Sequence, residues 1–380
     1  MNRVNRSSPV AAPGSVADEG KIPAREILGM AGLAVFLRIA LLLVSLQRYG
    51  YTVLDVASLR DGRSYLAFAR ALLGDFQGLT EYDRRVLPGY PALIGGVHLL
   101  GVPLEVAAIG TNWICVGLVV WASVLLFRDR RIGWAMATLT PTYVGYSTMG
   151  LSEPSMMVFS LFGLILARRG RAGAGGLLLG LAGMIRPVAC FPALGFVTAA
   201  ARKLEWRRIL LLGLAAGASM LLVMQLAEMR GLSVQEGLRI YRNHPAAYDG
   251  RPFGWPFESL IMTPLTRRHV PVWRIVYAWA HAAAALAGCA LLIREWWKGS
   301  SSEPSRSLTL LCLPWLVGNT LFVLCLDHIF GFQELHRFVI PALPPLFWAF
   351  RRYLPERRWI WMGIAAASFT AALIPLSKHL

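Results

Sequence analysis

The sequence predicts an all-α protein built as a polytopic bundle of transmembrane helices. Hydrophobic residues make up 56% of its 380 residues, charged residues only 16%, and the mean hydropathy is +0.52. That composition is too apolar for an ordinary soluble globular domain. The apolar residues are gathered into long runs separated by short basic loops, and together they predict about eleven spans.

Basic residues outnumber acidic ones. There are 38 Lys and Arg against 21 Asp and Glu, a formal net charge of +17. In a soluble protein this would suggest nucleic acid as a partner, but the sequence has neither zinc-finger spacing nor a stripe of aromatic and basic residues. Short basic loops beside apolar runs instead follow the positive-inside rule, which predicts a cytoplasmic N-terminus. We therefore expect membrane lipid, and no nucleic acid, as a partner.

The chain divides into a tail and one membrane domain. Residues 1–26 are rich in Ser, Pro, Ala and Gly and are predicted to be a disordered cytoplasmic tail. Residues 27–380 are predicted to be a single transmembrane domain, whose first apolar run is retained as a signal anchor. Arg38 lies inside this run, too deep for contact with lipid, so we expect it to pair with a buried carboxylate. The candidates are Glu105, Glu153 and Glu228.

The apolar run of residues 172–201 is too long for one ordinary span and has a basic loop on each side. Arg186 and Pro187 lie at its centre. If both basic flanks are cytoplasmic, the run is a hairpin of two short helices that turns at these residues. One long kinked helix is the alternative, and it would leave one basic flank on the wrong side.

Four segments then lie on the non-cytoplasmic side, and any active site should be built from them. They are residues 47–103, 147–153, 227–271 and 327–337. Within the first outer loop, residues 47–103, the apolar spacing between Leu66 and Leu73 predicts an amphipathic helix on the membrane surface. Asp61 stands just before this helix, where it is a helix N-cap, a catalytic carboxylate, or both.

The order of motifs along the chain resembles that of a known family. The first outer loop contains Asp61-x-x-x-Tyr65, Gly74-Asp75-Phe76, Arg84-Arg85 and Pro88-Gly89-Tyr90-Pro91. Farther along stand Ser152-Glu153-Pro154, Arg186-Pro187, the stretch RPFGWPF at residues 251–257, and His336-Arg337. Each motif is weak alone. Their order is similar to that of the C-type (GT-C) superfamily of integral-membrane glycosyltransferases, which includes mannosyltransferases that use a polyprenyl-phosphate sugar.

This resemblance implies a function. The donor would be a polyprenyl-phosphate sugar, the acceptor a lipid, glycan or protein, and hexosyl or mannosyl transfer would invert the anomeric centre. The active site would face the periplasm or exterior, on the outer side of a bacterial inner (plasma) membrane. The family's catalytic aspartate falls on Asp61, with Asp55 as the fallback. Because the paired acidic motif of some relatives is missing, the subfamily stays open.

The chemistry fits these residue types. A base near the acceptor hydroxyl is needed, and a carboxylate at the edge of the bilayer can have its pKa raised by desolvation toward that role. The leaving phosphate needs cations, preferably bidentate arginine. The candidates for substrate or phosphate binding are Tyr65, Arg84, Arg85, Glu153, Arg186, His336 and Arg337. For each arginine the alternative is a charge that snorkels to the surface or sets topology.

Metal chemistry and other function classes have less support in the sequence. No HExxH or comparable metal spacing occurs, and no cofactor is predicted with certainty. A divalent metal at Asp61, with Asp55 or Asp83, is a remaining possibility because hard cations bind carboxylates and phosphates. A transporter or flippase of lipid-linked sugars is the alternative function, and a non-catalytic scaffold is a third. The carboxylates fall near the outer face rather than along a midplane path, which favours an enzyme.

Overall fold

A computed structural model describes residues 22–242, 253–266, 270–299, 303–326, 332 and 334–377. Throughout the described residues the chain is helical, with no β-strand; Phe253 and Leu326 form a single isolated bridge. The predicted all-α fold is confirmed. Residues 1–21 of the predicted tail of residues 1–26 lie outside the described residues, as do the first two residues of the RPFGWPF stretch.

The helices follow the predicted apolar runs, with a few breaks. Those of the N-terminal half are α1 (Ala24–Tyr49), α2 (Val53–Ala57), α3 (Gly62–Leu72), α4 (Gly89–His98), α5 (Leu104–Phe127), α6 (Arg130–Thr138), α7 (Pro141–Tyr146), α8 (Glu153–Arg168) and α9 (Ala172–Ile185). Those of the C-terminal half are α10 (Cys190–Ala201), α11 (Trp206–Glu228), α12 (Val234–Arg242), α13 (Glu258–Thr266), α14 (Val272–Lys298), α15 (Glu303–Leu324), α16 (Leu335–Phe338), α17 (Leu343–Phe350) and α18 (Arg358–Ser377).

Five helices of the described chain, α1, α5, α11, α14 and α15, are long and apolar enough to cross a membrane. Each has a run of the length that a hydrocarbon core of about 30 Å requires. The protein is therefore an integral membrane protein. The shorter apolar helices α9 and α10 pack into the same bundle, against α8, α11 and α15.

The break at the centre of residues 172–201 has the predicted position. Helix α9 ends at Ile185, Arg186 is extended, and α10 begins at Cys190 after a short 3-10 turn. At the start of α11, Arg208 donates hydrogen bonds to the carbonyl oxygens of Ala167 and Arg168, which end α8. Both basic flanks of the run therefore lie at the same end of the molecule, and the hairpin prediction is confirmed.

The basic loops that were predicted to be cytoplasmic contact one another. Arg358, which begins α18, pairs with Glu26 at the start of α1 at 3.1 Å. Arg131, which follows α5, lies 3.7 Å from Glu356. Arg351, at the end of α17, pairs with Glu295 near the end of α14. These loops, which the charge rule places in the cytoplasm, thus meet each other at one end of the bundle.

The prediction for Arg38 is wrong. Its side chain is fully buried, but it donates to Ser147 Oγ at 2.9 Å and to the carbonyl oxygens of Ala34 and Ala137 at 3.0 and 3.1 Å. The ring of Tyr143 lies 5.2 Å from its guanidinium carbon. Backbone carbonyls and a hydroxyl bind Nε and Nη1 of the guanidinium in place of a carboxylate. Of the three candidate acids, Glu105 pairs with Arg70 instead.

The helix predicted after Asp61 is confirmed as α3. It packs against α4, α5 and a 3-10 turn at Tyr82–Arg85, so that its apolar side chains are buried and Arg63 is exposed. Gly62 begins the helix where a Cβ would lie 2.0 Å from the carbonyl oxygen of Ala57. Protein atoms therefore cover most of the apolar face of α3 and hold Asp61 in a defined position.

Candidate active site

Asp61 lies between two arginines that come from distant parts of the chain. Its Oδ1 accepts a hydrogen bond from Arg85 Nη2 at 2.6 Å, and its Oδ2 accepts one from Arg337 Nη1 at 2.7 Å. Asp61 is at the N-cap position of α3, yet its side chain makes no capping hydrogen bond. The carboxylate therefore binds the two arginines and does not cap the helix.

The expectation that desolvation would raise the pKa of Asp61 is wrong. Burial does act in that direction, but the charges of Arg337 and Arg85 and the hydrogen bond from Arg337 outweigh it and lower the pKa from 3.8 to about 2. Opposite charges within a few ångströms favour the ionised form of an acid. In this arrangement Asp61 is ionised at neutral pH and only weakly basic.

Glu153 holds two arginines together on the other side of Arg337. Its Oε1 accepts hydrogen bonds from both Arg186 Nη1 and Arg337 Nε. The side chain of Glu153 is 1% exposed and that of Arg337 is 4% exposed. Arg186 is available for this contact because the chain is extended there, between α9 and α10. The turn of the hairpin thus places Arg186 next to the buried carboxylate of Glu153 at the start of α8.

Arg85 is held by its own loop. Its Nη1 donates to Ser64 Oγ at 3.0 Å and to the carbonyl oxygen of Tyr82 at 3.1 Å, and its guanidinium carbon lies 3.6 Å from the centre of the Tyr82 ring. Ser64 in turn donates to Asp83 Oδ1 at 2.7 Å. Asp83 is also the acceptor for the backbone amide and hydroxyl of Thr80. These contacts aim Arg85 at Asp61.

Tyr65 and Ser152 connect α3 to the start of α8. The Tyr65 hydroxyl lies 2.8 Å from Ser152 Oγ, and Arg186 Nη1 donates to the same oxygen at 3.5 Å. Tyr65 is buried against Tyr90, with ring centres 5.0 Å apart in an edge-to-face arrangement. The Asp-x-x-x-Tyr spacing therefore places an acid and a phenol one helical turn apart, both next to the arginines.

Glu334 is a third carboxylate of the cluster, and sequence reasoning missed it. Its Oε1 accepts a hydrogen bond from Arg60 Nη1 at 3.0 Å, and its Oε2 lies 3.7 Å from Arg337 Nη1. Burial and the neighbouring charges of Asp61 and Glu153 raise its pKa, and they outweigh the opposing effect of Arg337 and Arg60. The only signal in the sequence is an acid three residues before Arg337, within a predicted outer segment.

Several buried polar atoms around Arg337 have no hydrogen-bond partner within the described part of the chain. They are Glu153 Oε2, Glu334 Oε2 and Arg337 Nη2. Buried polar atoms in folded proteins are normally paired, so unpaired ones at a charged cluster mark a place for a polar ligand. Among the described residues, four arginines (Arg60, Arg85, Arg186 and Arg337) pair with three carboxylates (Asp61, Glu153 and Glu334), an excess of one positive charge. An anionic ligand suits that balance.

His336 is beside the cluster but is not one of its cations. Its Nε2 and the Tyr146 hydroxyl oxygen lie 2.9 Å apart and share a hydrogen bond. Burial and the charges of nearby His281, Arg60 and Arg337 lower its pKa to about 3. The neutral ring supplies no charge to a phosphate, and the role predicted for it is therefore limited to hydrogen bonding and packing.

Two predicted site residues lie apart from the cluster. Asp55 is exposed, and its Oδ2 accepts hydrogen bonds from the Thr52 amide at 2.7 Å and hydroxyl at 2.6 Å, which form a capping box at the start of α2. Arg84 pairs with Glu236 of α12 at 3.2 Å, on the other side of the loop from Arg85. The described structure brings Asp61, Tyr65, Arg85, Glu153, Arg186 and Arg337 together.

The cluster does not suit a divalent cation. Among the described residues no group of three or more His, Cys, Asp and Glu side chains could hold a metal ion. Both oxygens of Asp61 are bound by guanidinium groups, which would repel a dication. Asp83 is bound to Ser64 and Thr80, and Asp55 to Thr52.

The fold has a counterpart among solved structures. ArnT from Cupriavidus metallidurans, a GT-C family protein whose crystal structure is bound to undecaprenyl phosphate, superposes with a TM-score of 0.52. The two chains are 18% identical, and the match covers 89% of this chain and 64% of that one. The chain has the GT-C fold. Its resemblance to that superfamily, inferred from the order of motifs, is thus confirmed at the level of the fold.

The other comparisons returned nothing. No protein-family model matches this chain, and no curated protein matches it. The chain spans about two thirds of the length of the ArnT structure.

Proposed function

We propose that this protein is a membrane glycosyltransferase that moves a sugar from a polyprenyl-phosphate donor to a lipid, glycan or protein acceptor. Transfer takes place on the non-cytoplasmic face, in a bacterial inner membrane with the site toward the periplasm. A hexose such as mannose is the proposed sugar, and direct displacement inverts the anomeric centre. Asp61 is the proposed general base.

One observation carries this proposal: an excess of buried arginine charge faces Asp61 and Glu153 in a fold shared with a protein that binds undecaprenyl phosphate. Arg85 and Arg337 come from two outer segments and Arg186 from the turn of the hairpin, and the three converge on the two carboxylates. A buried cation cluster with unpaired polar atoms favours a phosphate group. The apolar bundle beneath it suits a polyprenyl chain.

The proposed reaction explains why Asp61 is tightly paired. The acceptor oxygen attacks the anomeric carbon of the sugar, the bond from that carbon to the phosphate oxygen breaks, and its electron pair leaves with the polyprenyl phosphate. The acceptor proton passes to Asp61. Before donor binding, Arg85 and Arg337 suppress the basicity of Asp61. A phosphate that draws these guanidinium groups toward itself restores it.

The alternative is a transporter or flippase of lipid-linked sugars. A transporter places its charges along a path through the middle of the membrane. Here Asp61, Glu153 and Glu334 and their arginines gather where outer segments meet, next to the ends of α3, α8 and α16. This position supports group transfer more than passage through the bilayer.

The experiment is an assay of sugar transfer by the purified full-length protein in lipid vesicles. Radiolabelled undecaprenyl-phosphate mannose, glucose and arabinose are each supplied with membrane extract as acceptor. We expect one donor to give a labelled product, and Asp61→Asn to lower kcat by about 100- to 10,000-fold, the usual contribution of a general base.

Asp75→Asn is the matched control. Asp75 is in the same outer loop, is exposed, and caps the amide of Gln77 at 2.9 Å, so the same change of charge should leave transfer near that of the wild type. Equal turnover by Asp61→Asn and the wild type would reject Asp61 as the base. Movement of the intact labelled donor across the vesicle membrane without transfer would favour the flippase.

A further inference from the structure

Among the described residues, Arg337 is the cation that lies next to all three carboxylates of the cluster. Its Nε donates to Glu153, and its Nη1 lies 2.7 Å from Asp61 Oδ2 and 3.7 Å from Glu334 Oε2. Its Nη2 has no partner within the described part of the chain. A guanidinium has five N–H groups in a rigid plane, so a small rotation about the Cδ–Nε bond turns the whole plane and changes which carboxylate Nη1 meets.

Glu334 is placed to receive Arg337. Its Oε2 is buried and lacks a hydrogen-bond partner among the described residues, while its Oε1 is held by Arg60 at 3.0 Å. Because a buried, unpaired carboxylate oxygen is unfavourable, a second arrangement in which this oxygen accepts a hydrogen bond is expected. Arg337 Nη1 is a charged donor that lies 3.7 Å from this oxygen.

We propose that Glu334 is a positioning residue that takes Arg337 away from Asp61 when the donor binds. The inference rests on the proposed glycosyltransferase function. The donor phosphate engages the free Nη2 of Arg337 and the guanidinium of Arg85, and Nη1 turns from Asp61 to Glu334. Asp61 is thereby released to accept the acceptor proton only when a donor is in place, so donor binds before acceptor.

The charges around Glu334 determine how this exchange depends on pH. Arg60 faces it from the loop before α3, and Arg337 faces it from α16. Asp61 and Glu153 add negative charge, and the adjacent His336 is neutral. Burial raises the pKa of Glu334 above its ordinary value. Below that pKa, the protonated side chain no longer attracts Arg337, which stays on Asp61. Activity is therefore expected to rise as the pH increases through the pKa of Glu334.

The test uses the full-length protein in vesicles, with whichever labelled donor gives transfer. We expect Glu334→Gln to lower kcat by about 10- to 100-fold and to remove the acidic limb of the kcat profile, with undecaprenyl phosphate bound as tightly as by the wild type. Glu334→Asp, which keeps the charge, should retain that limb. Glu105→Gln is the control, because Glu105 pairs with Arg70 outside the cluster.

Two outcomes overturn the role of Glu334 while leaving the proposed function intact: a wild-type pH profile in Glu334→Gln, or a loss of donor binding equal to its loss of kcat. A second measurement is independent of turnover. In a cryo-EM structure of the protein with undecaprenyl phosphate, Arg337 Nη1 should be closer to Glu334 than to Asp61. Retention of the Asp61 contact would contradict the exchange. If the wild type transfers no sugar from any donor, the proposed function fails instead.

Discussion

Adjacent residues of the first outer loop have different surroundings, which decides what each can do. Arg84 and Arg85 share a short 3-10 turn, but Arg85 is directed at Asp61 by Ser64 and Tyr82, whereas Arg84 pairs with Glu236 of α12. The side chain of Arg85 is 11% exposed and that of Arg84 is 33% exposed. A buried cation beside unpaired polar atoms has more to contribute to phosphate binding than an exposed one.

This difference gives a prediction at the scale of single residues. Arg85→Gln should weaken the binding of undecaprenyl phosphate by about 10- to 100-fold, from the loss of a charged hydrogen bond of about 1.5–3 kcal/mol. Arg84→Gln should change the dissociation constant by less than about threefold, since an exposed ion pair contributes little. Native mass spectrometry of both variants measures their dissociation constants for undecaprenyl phosphate. Equal effects of the two changes would place Arg85 outside the phosphate site.

Close contact between helices α9 and α11 holds the hairpin that presents Arg186. Gly180 of α9 lies where a Cβ would be 2.0 Å from Ser219 Oγ and 2.3 Å from the carbonyl oxygen of Ala216, both in α11. Small residues allow membrane helices to approach this closely and to gain van der Waals contact. Glycine at this position therefore has a packing reason rather than a conformational one.

At the scale of helices, we expect Gly180→Ala to separate α9 from α11. Overpacking of about 1–3 kcal/mol should lower the unfolding temperature of the detergent-solubilised protein by several degrees. Gly213→Ala is the control, because nothing lies within 4 Å of the Cβ it would add to α11. Thermal unfolding followed by tryptophan fluorescence measures both. A loss of stability in Gly213→Ala as large as that in Gly180→Ala would argue against this contact.

The whole molecule has two chemically distinct ends. Basic loops meet at one end through Arg358 with Glu26, Arg131 with Glu356, and Arg351 with Glu295. At the other end, Asp61, Arg85, Glu153, Arg186, Glu334 and Arg337 converge from segments predicted to be outside, or from the turn of the hairpin. The separation follows from helices that cross the bundle and from the cost of placing charges in the apolar region.

Topology can be measured on the intact protein. In a cysteine-free background, a cysteine at exposed position Gln77 of the first outer loop should react with a membrane-impermeant maleimide in intact cells. A cysteine at exposed position Arg352, in a basic loop, should react only after permeabilisation. Reaction at Arg352 but not at Gln77 in intact cells would reverse the proposed orientation and move the charged cluster to the cytoplasm.

Sequence patterns were sufficient for much of this architecture. The helix predicted after Asp61 is α3, and the predicted interruption at Arg186 and Pro187 separates α9 from α10. The sequence also singled out Asp61, Arg85, Arg186 and Arg337, which lie together in the structure. Charged residues at the ends of spans are costly and therefore stand out in an apolar sequence. Side-chain pairing was predicted less well. Arg38 binds hydroxyl and carbonyl oxygens rather than the predicted carboxylate, and Glu334 was not recognised as part of the cluster.

Helices, the hairpin and the segregation of charged loops were decided by the sequence itself, because apolar length, proline and the sign of loop charges act locally on the chain. Only the tertiary structure decided which ions meet. Asp61 and Arg337 are 276 positions apart, and no local pattern encodes their contact or the burial around it. Since the pKa of a carboxylate depends on burial and on the nearest charges, the low basicity of Asp61 and the unpaired oxygen of Glu334 arise only after the chain has folded.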